Sequence, residues 1–245
     1  MNSTIIDNIN TVRHRIKEAC QKNGRDPQEV KLLLATKTVA AERIKIALQT
    51  GQTLIAENKV QELKEKYEDL KEIPHNNHFI GHLQTNKIKE ILKYNVSCVH
   101  SIDRFDLAQK LHQRLTAENK TIDILIQVNT SYEESKYGAA PDQVIDLVRQ
   151  ISVFNTLHIK GLMTIGLLSA EADRVRKCFQ LLKQIQQEII RLDIPNVTMQ
   201  ELSMGMSGDL DIAIAEGATI VRVGTAIFGQ RNTPDNYYWN ENLME

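Results

Sequence analysis

The sequence predicts an α/β fold: one closed (β/α)8 barrel in which eight parallel strands alternate with helices. Three observations carry this. Eight short apolar runs recur along the chain, longer amphipathic segments separate them, and the 245 residues leave no room for a second domain. Strands alternating with helices imply a parallel sheet, and eight such units imply closure of the TIM type. A chain of this length can remove roughly three-quarters of its unfolded surface from water, enough for a large core.

The elements follow in order. Ile5 to Gln21 reads as an extra helix ahead of the barrel, about residues 4–22, able to plug or flank its base. The first strand is Leu32–Thr36, an apolar run that breaks abruptly into polar residues. Gly51, just past Ile44–Thr50, marks a helix stop, since glycine accepts the left-handed conformation found there. Leu54–Glu57, His78–Leu83 and Cys98–Ile102 are the next three strands. Between the second and third, the basic residues from Lys59 to Lys71 alternate with Glu and Asp, as on an exposed helix face. Phe105, Ala108, Leu111 and Leu115 recur at steps of three and four, a buried helical stripe after the fourth strand. Strand five is Ile122–Asn129, and Pro141 starts the helix beyond it. Strand six, Ile159–Ile165, precedes a long helix. Its stripe is Val175, Cys178, Phe179, Leu182, Ile185 and Ile189, with Glu171 and Asp173 in the first turn, where acidic groups suit the helix dipole. Met199–Met204 and Thr219–Gly224 complete the set, with Gly217 closing the helix between them. The barrel core thus covers about residues 31–229, and a polar tail with Tyr237, Tyr238 and Trp239 occupies about 230–245.

Composition narrows the function classes. A net charge of −1 and a pI near 6.7 give no electrostatic footprint for nucleic acid or anionic membrane. Cys20, Cys98 and Cys178 are odd in number, widely spaced and without a CxxC pair, which fits reduced thiols rather than disulfides or zinc. The amino terminus lacks a charged start followed by a long apolar run, and no stretch reaches transmembrane length without charges. The expectation is a cytoplasmic monomer that contacts neither nucleic acid nor membrane.

In a β/α barrel, chemistry sits where strands end. Lys37 follows the first strand with its stem held by the sheet. Burial there would disfavour the charged form, and a neutral amine attacks carbonyls to form a Schiff base. A solvated lysine closing a strand is the plain alternative. Ser203, Gly205 and Ser207 follow strand seven, and Gly224 and Thr225 follow strand eight. Loops at these two places commonly hold phosphate, and small residues with hydroxyl and backbone N–H donors suit close approach. They could also simply turn the chain into a helix. A ligand joining the two features would carry an aldehyde or ketone at one end and a phosphate at the other. Pyridoxal 5′-phosphate (PLP) is such a molecule, with lysine as its usual anchor. A Schiff-base aldolase acting on sugar phosphates would use the same two features.

Seven segments in order, LLLATKT, IAENKVQELKEK, HFIGHLQTNK, QVNTSYEESKYG, KGLMTI, LSMGMSGDLDIAI and VRVGTAIFG, resemble the PLP homeostasis protein family, PLP-binding barrel proteins also called the YggS/PROSC family. They span nearly the whole chain except the first helix and the tail. The resemblance implies a barrel similar to the N-terminal domain of alanine racemase, PLP on Lys37, and a part in PLP homeostasis and amino-acid and keto-acid balance. It implies PLP-dependent apoenzymes as recipients and no established catalytic turnover. Ala56 stands where a glycine often precedes the Glu-Asn pair, and Thr36 where serine is common before the lysine; neither change removes a functional group.

Set against alanine racemase, Arg222 would face the pyridine nitrogen of the cofactor. An arginine does not release its proton, so it would keep that nitrogen unprotonated and weaken the ring as an electron sink. Asn58 either bonds near the ring or caps the following helix. Met163 either packs beside the ring or belongs to the core. His82 could border the ligand, and Glu57 and Asp209 are either acid–base groups or supporting hydrogen-bonders. His78 and His82 lie four apart on the predicted third strand, too far along it to share a metal ion, so no metal site is expected. The competing reading, a PLP-dependent racemase, needs a second base on the opposite face. Tyr237 and Tyr238 are the residues that could be put forward for it.

Overall fold

The computed structural model describes residues 2–167, 169 and 171–230. Beyond them lie the residues of the tail after 230, Tyr237, Tyr238 and Trp239 among them.

Eight strands close into a barrel in chain order: β1 Lys31–Ala35, β2 Leu54–Glu57, β3 Asn76–Phe79, β4 Val96–Ile102, β5 Ile122–Gln127, β6 Leu157–Met163, β7 Val197–Ser203 and β8 Ile220–Val223. Every neighbouring pair is parallel, and β8 returns to β1 with Leu33 opposite Arg222 and Leu34 opposite Val223. Side chains alternate across the wall. Leu33, Ala56 and Ile220 form one interior cluster, and Cys98, Leu125 and Met163 another. Leu32, Leu34, Ile55, Phe79, Val99, Ile126, Leu162 and Val221 point the other way, into the main core shared with the helices. Burying each such side chain contributes about 1.5–3 kcal/mol.

Several strand ends differ from the sequence reading. β3 begins earlier and ends at Phe79, because Ile80 donates the last ladder bond to Glu57 O and Gly81 then lies directly on the Asn58 backbone. His82 is therefore on a loop, not on the strand. β5 ends at Gln127, and Asn129 turns away to bond the Ala139 carbonyl.

The helices are α1 Asn2–Lys22, α2 Ala41–Leu48, α3 Val60–Leu70, α4 Ile88–Ile91, α5 Phe105–Glu118, α6 Val144–Ile151, α7 Ala172–Arg191, α8 Leu210–Ala215 and α9 Thr225–Phe228. α1 buries Ile5, Ile9, Val12, Ile16 and Ala19 along one stripe and packs against α2, α8 and α9. It flanks the barrel wall rather than plugging the base. The expected stripe of α5 starts later than Phe105, which is 37% exposed; Leu107 is buried instead. Phe105 is the first helical residue and packs on Phe154. Lys66 departs from the exposed face expected of α3 and is buried. Among the described residues, no helix is long and apolar enough to cross a membrane.

Candidate functional site

Lys37 stands two residues past β1, half-buried at the carboxyl end of the barrel. It opens onto a cleft of about 270 Å³ between the ends of β1 and β8, lined also by Thr38, Val39, Arg43, Gly224 and Thr225. The lysine and the loop after β8 thus share one cavity. The loop after β7 is tied to them: Ser207 Oγ accepts a hydrogen bond from the Ala226 N–H in the first turn of α9, at 3.3 Å. α1 braces both loops, with Arg15 donating to the Ser207 carbonyl at 2.7 Å and Asn8 to the Ile227 carbonyl at 2.9 Å. Arg43 donates to the Phe228 carbonyl at 2.6 Å, its guanidinium 5.9 Å from the Phe228 ring centroid. Nothing in the sequence marks Arg43: a single arginine on an amphipathic helix carries no spacing signal.

Arg222 lies inside the barrel, 5% exposed. Its guanidinium donates to Ser203 Oγ and to the Thr164 carbonyl, both at 2.8 Å. Ser203 Oγ is 3.1 Å from His100 Nδ1, and His100 Nε2 is 2.7 Å from His78 Nδ1. Burial holds His100 well below the usual histidine range and takes His78 down to about 4, so both rings are neutral near pH 7. Burial also lowers Arg222, to about 10, which leaves it cationic. An arginine only donates. The arrangement that strands no hydroxyl hydrogen therefore runs one way, from Arg222 to Ser203, from Ser203 to His100 Nδ1, and from His100 Nε2–H to His78.

This geometry separates the residues expected around phosphate. Ser203 is fully buried under Arg222, with its hydroxyl committed to the interior chain, whereas Ser207 stays beside α9. Gly205 has φ +89°, a Cβ there would overlap Ala213, and its carbonyl accepts the Arg222 N–H at 2.9 Å. Its glycine is thus required by the turn into α8. Met163 is buried among Cys98, Leu125 and Ile165. Asp209 accepts the Met206 N–H at 2.5 Å, and burial raises its pKa. A grouping not anticipated from the sequence is that of His78, Cys98 and His100, whose ligating atoms lie within 4.8 Å of one another. Barrel closure creates it, and the two rings already share a hydrogen there.

At the next strand ends, Asn58 does not cap α3, whose N-cap is Lys59. Its Oδ1 is buried and accepts no hydrogen bond from the described residues. Gly81 backs onto the Asn58 carbonyl so closely that any Cβ would overlap it. His82 stacks on Tyr137 with ring centroids 3.8 Å apart, and its Nδ1 is 3.9 Å from Asp103. Glu57 faces the helices instead of the mouth. It is 2% exposed and paired with Lys66 at 2.8 Å.

The alanine racemase N-terminal domain family matches residues 8–232. A pyridoxal phosphate homeostasis protein of Aquifex aeolicus is 40% identical over 225 residues, covering 92% of this chain and 97% of that protein. The chain belongs to the pyridoxal phosphate homeostasis protein family. Another relative of that description, from Pseudomonas aeruginosa, is 40% identical over 230 residues, with 94% and 97% covered. Among solved structures, this family member superposes on PipY of Synechococcus elongatus PCC7942 with PLP bound at a TM-score of 0.77. That match has 31% identity and covers 87% of this chain and 100% of PipY. Alanine racemase of Clostridium difficile 630 is only 14% identical; its TM-score of 0.72, over 95% of this chain and 61% of the racemase, shows a shared fold.

Proposed function

We propose that this family member binds PLP at the carboxyl end of the barrel and holds it through Lys37 as a Schiff base. In this reading it serves intracellular PLP homeostasis, and through it amino-acid and keto-acid balance, without catalytic turnover of its own. The observation that carries the reading is that Lys37, Gly224 and Thr225 line one cleft. Two further features suit the cofactor: a buried Asn58 acceptor with no donor among the described residues, and an arginine held rigidly inside the barrel. PipY, 31% identical, is described with PLP bound.

Each residue has a part. Lys37 would supply the amine that holds the cofactor through its aldehyde. Thr225 and Gly224, with Ser207 and Gly205 from the neighbouring loop, would hold the phosphate with hydroxyl and backbone donors. Asn58 and Met163 would face the ring, and Arg222 would face its pyridine nitrogen. Ser203 acts by holding Arg222 in place. When bound, PLP supplies an electron-poor ring that can take up charge from an attached amine. Arg222 stays cationic and cannot pass a proton to that ring, so it restrains this chemistry. The protein so described is a cytoplasmic monomer that gives PLP to apoenzymes.

The test is spectroscopic. Reconstitution with PLP should produce the near-visible absorbance of lysine-bound cofactor, and Lys37→Ala should lose that band while retaining phosphate-dependent binding. Incubation with amino acids and chiral analysis should show no multiple-turnover racemisation. Robust racemisation abolished by Lys37→Ala would replace this reading with that of a racemase.

A further inference from the structure

The peptide groups on either side of Lys37 are held by three ionisable side chains that never reach the cleft. Lys66, on α3, donates from its ammonium to the Thr36 carbonyl at 2.9 Å, to Glu57 Oε1 at 2.8 Å and to Glu62 Oε2 at 2.8 Å. These three bonds use all the hydrogens an ammonium has. Glu57 Oε1 also accepts from the Thr36 hydroxyl at 2.6 Å. Glu62 Oε2 also accepts the backbone N–H of Thr38 at 2.6 Å. Thr36 is fully buried, and the side chains of Lys66, Glu57 and Glu62 are 11%, 2% and 13% exposed.

Thr38 gives the arrangement its meaning. Its φ is +62°, the left-handed region that a β-branched residue enters only under constraint. The Glu62 carboxylate bonds the N–H of this very residue. Three ionisable groups, two of them the ion pair of Lys66 with Glu62, are thus spent on one short turn, and the residue at the centre of that turn is Lys37. Shielding apolar side chains would have stabilised the wall between β2 and α3 at least as well, since a buried ion pair is weak evidence of stability. What the triad supplies is direction for the backbone that carries the amine.

We infer that Glu57, Lys66 and Glu62 form a positioning device that fixes the backbone on both sides of Lys37 and aims its amine into the cleft. The inference deepens the proposed function and rests on the reading that Lys37 is the PLP anchor. None of the three touches the cofactor; each acts through Lys37.

The discriminating pair is Glu62→Ala and Glu62→Gln. Glutamine removes the charge but keeps an oxygen for the Thr38 N–H, whereas alanine removes both and remains a good helix former. A change due to charge alone appears equally in both variants; a change due to positioning appears in alanine and is rescued by glutamine. In the unloaded full-length protein, competitive acylation with acetic anhydride across pH, read by peptide mass mapping, gives the reactivity profile of Lys37. In the PLP-loaded protein, borohydride traps the lysine-bound fraction, while equilibrium dialysis with pyridoxamine phosphate, which lacks the aldehyde, reports non-covalent binding.

Glu62→Ala should displace the Lys37 acylation profile from that of Glu62→Gln. It should also cut the equilibrium constant for lysine-bound PLP, read from trapping at PLP concentrations below saturation, about tenfold, the scale of one lost hydrogen bond to a charged group. Pyridoxamine phosphate affinity should change less than about twofold, and Glu62→Gln should retain most of the trapping. Identical acylation profiles for the two variants would overturn the inference, as would equal losses of trapping and of pyridoxamine phosphate binding, which would mark a general structural role. If wild-type PLP is trapped elsewhere while the acylation profiles still separate, the cofactor reading fails and the positioning of Lys37 stands.

Discussion

Burying the Arg222 guanidinium costs free energy that its hydrogen bonds and the charge of Asp209 offset, and its partners are therefore part of the candidate site. Ser203 supplies one acceptor and is itself anchored by His100. His100→Phe keeps a ring in the space but strands the Ser203 hydroxyl hydrogen and leaves His78 Nδ1 without its donor. Chemical denaturation should show a loss of about 1–3 kcal/mol for each stranded group; an unchanged midpoint would mean the chain does not hold Arg222. Thr225 and Ser207 make a second prediction. Removing a hydroxyl that bonds a charged phosphate costs about 1.5–3 kcal/mol, or roughly one to two decades of affinity. Thr225→Val should bind PLP more weakly, as measured by equilibrium dialysis, while still preferring PLP over pyridoxal. If neither Thr225→Val nor Ser207→Ala alters PLP affinity, the phosphate lies elsewhere. Lys37 is legible in the sequence because an apolar run ending in a lysine is a local pattern. Arg43 and His100 are not, since one sits on an ordinary helix and the other gains its partners only across the barrel.

The pairing of β2 with α3 makes a prediction at the scale of elements. Burial, reinforced by the charge of Glu62, raises Glu57 from 4.5 to about 8, while Lys66 draws Glu62 below the ordinary range. Between pH 4.5 and 8 the folded protein holds a proton at Glu57 that the unfolded chain has released. The unfolded state binds fewer protons there, so the Glu57 contribution is fully present at low pH and is lost as pH rises through about 8. Glu62 has the opposite sign, its contribution present above the unfolded value and lost as pH falls through the lowered one. Stability measured from pH 5 to 9 should fall in wild type relative to Glu57→Gln, by at most about 1.4 kcal/mol per pH unit. A difference that rises with pH would contradict the assignment. The alternation of charges from Lys59 to Lys71 reads as a solvated face, and for most of α3 that is what it is. Lys66 departs from it because β2 presents Glu57 outward, a relation between elements that spacing along one helix does not contain. α1 is similar: its stripe is plain in the sequence, but its docking beside α8 and α9 is visible only once the barrel has closed.

For the whole molecule, most strands are legible because they are short apolar runs, and their closure follows from their number; β3, Asn-Asn-His-Phe, overlaps the apolar run that pointed to it only at His78 and Phe79. Their ends are less so. Gly81 ends β3 by lying on Asn58, and Asn129 leaves β5 for Ala139, both effects of neighbours distant in sequence. The polar chain through His78, His100, Ser203 and Arg222 joins β3, β4, β7 and β8 and has no counterpart in any local motif. Closure places Lys37 and the β8 loop on one cleft, the proposed anchoring place of PLP. The most direct measurement is to load the purified full-length protein with PLP, reduce it with borohydride and map the peptides by mass. One phosphopyridoxyl group, on Lys37, is expected. A group on a different lysine, or none on any, would show that Lys37 is not the anchor.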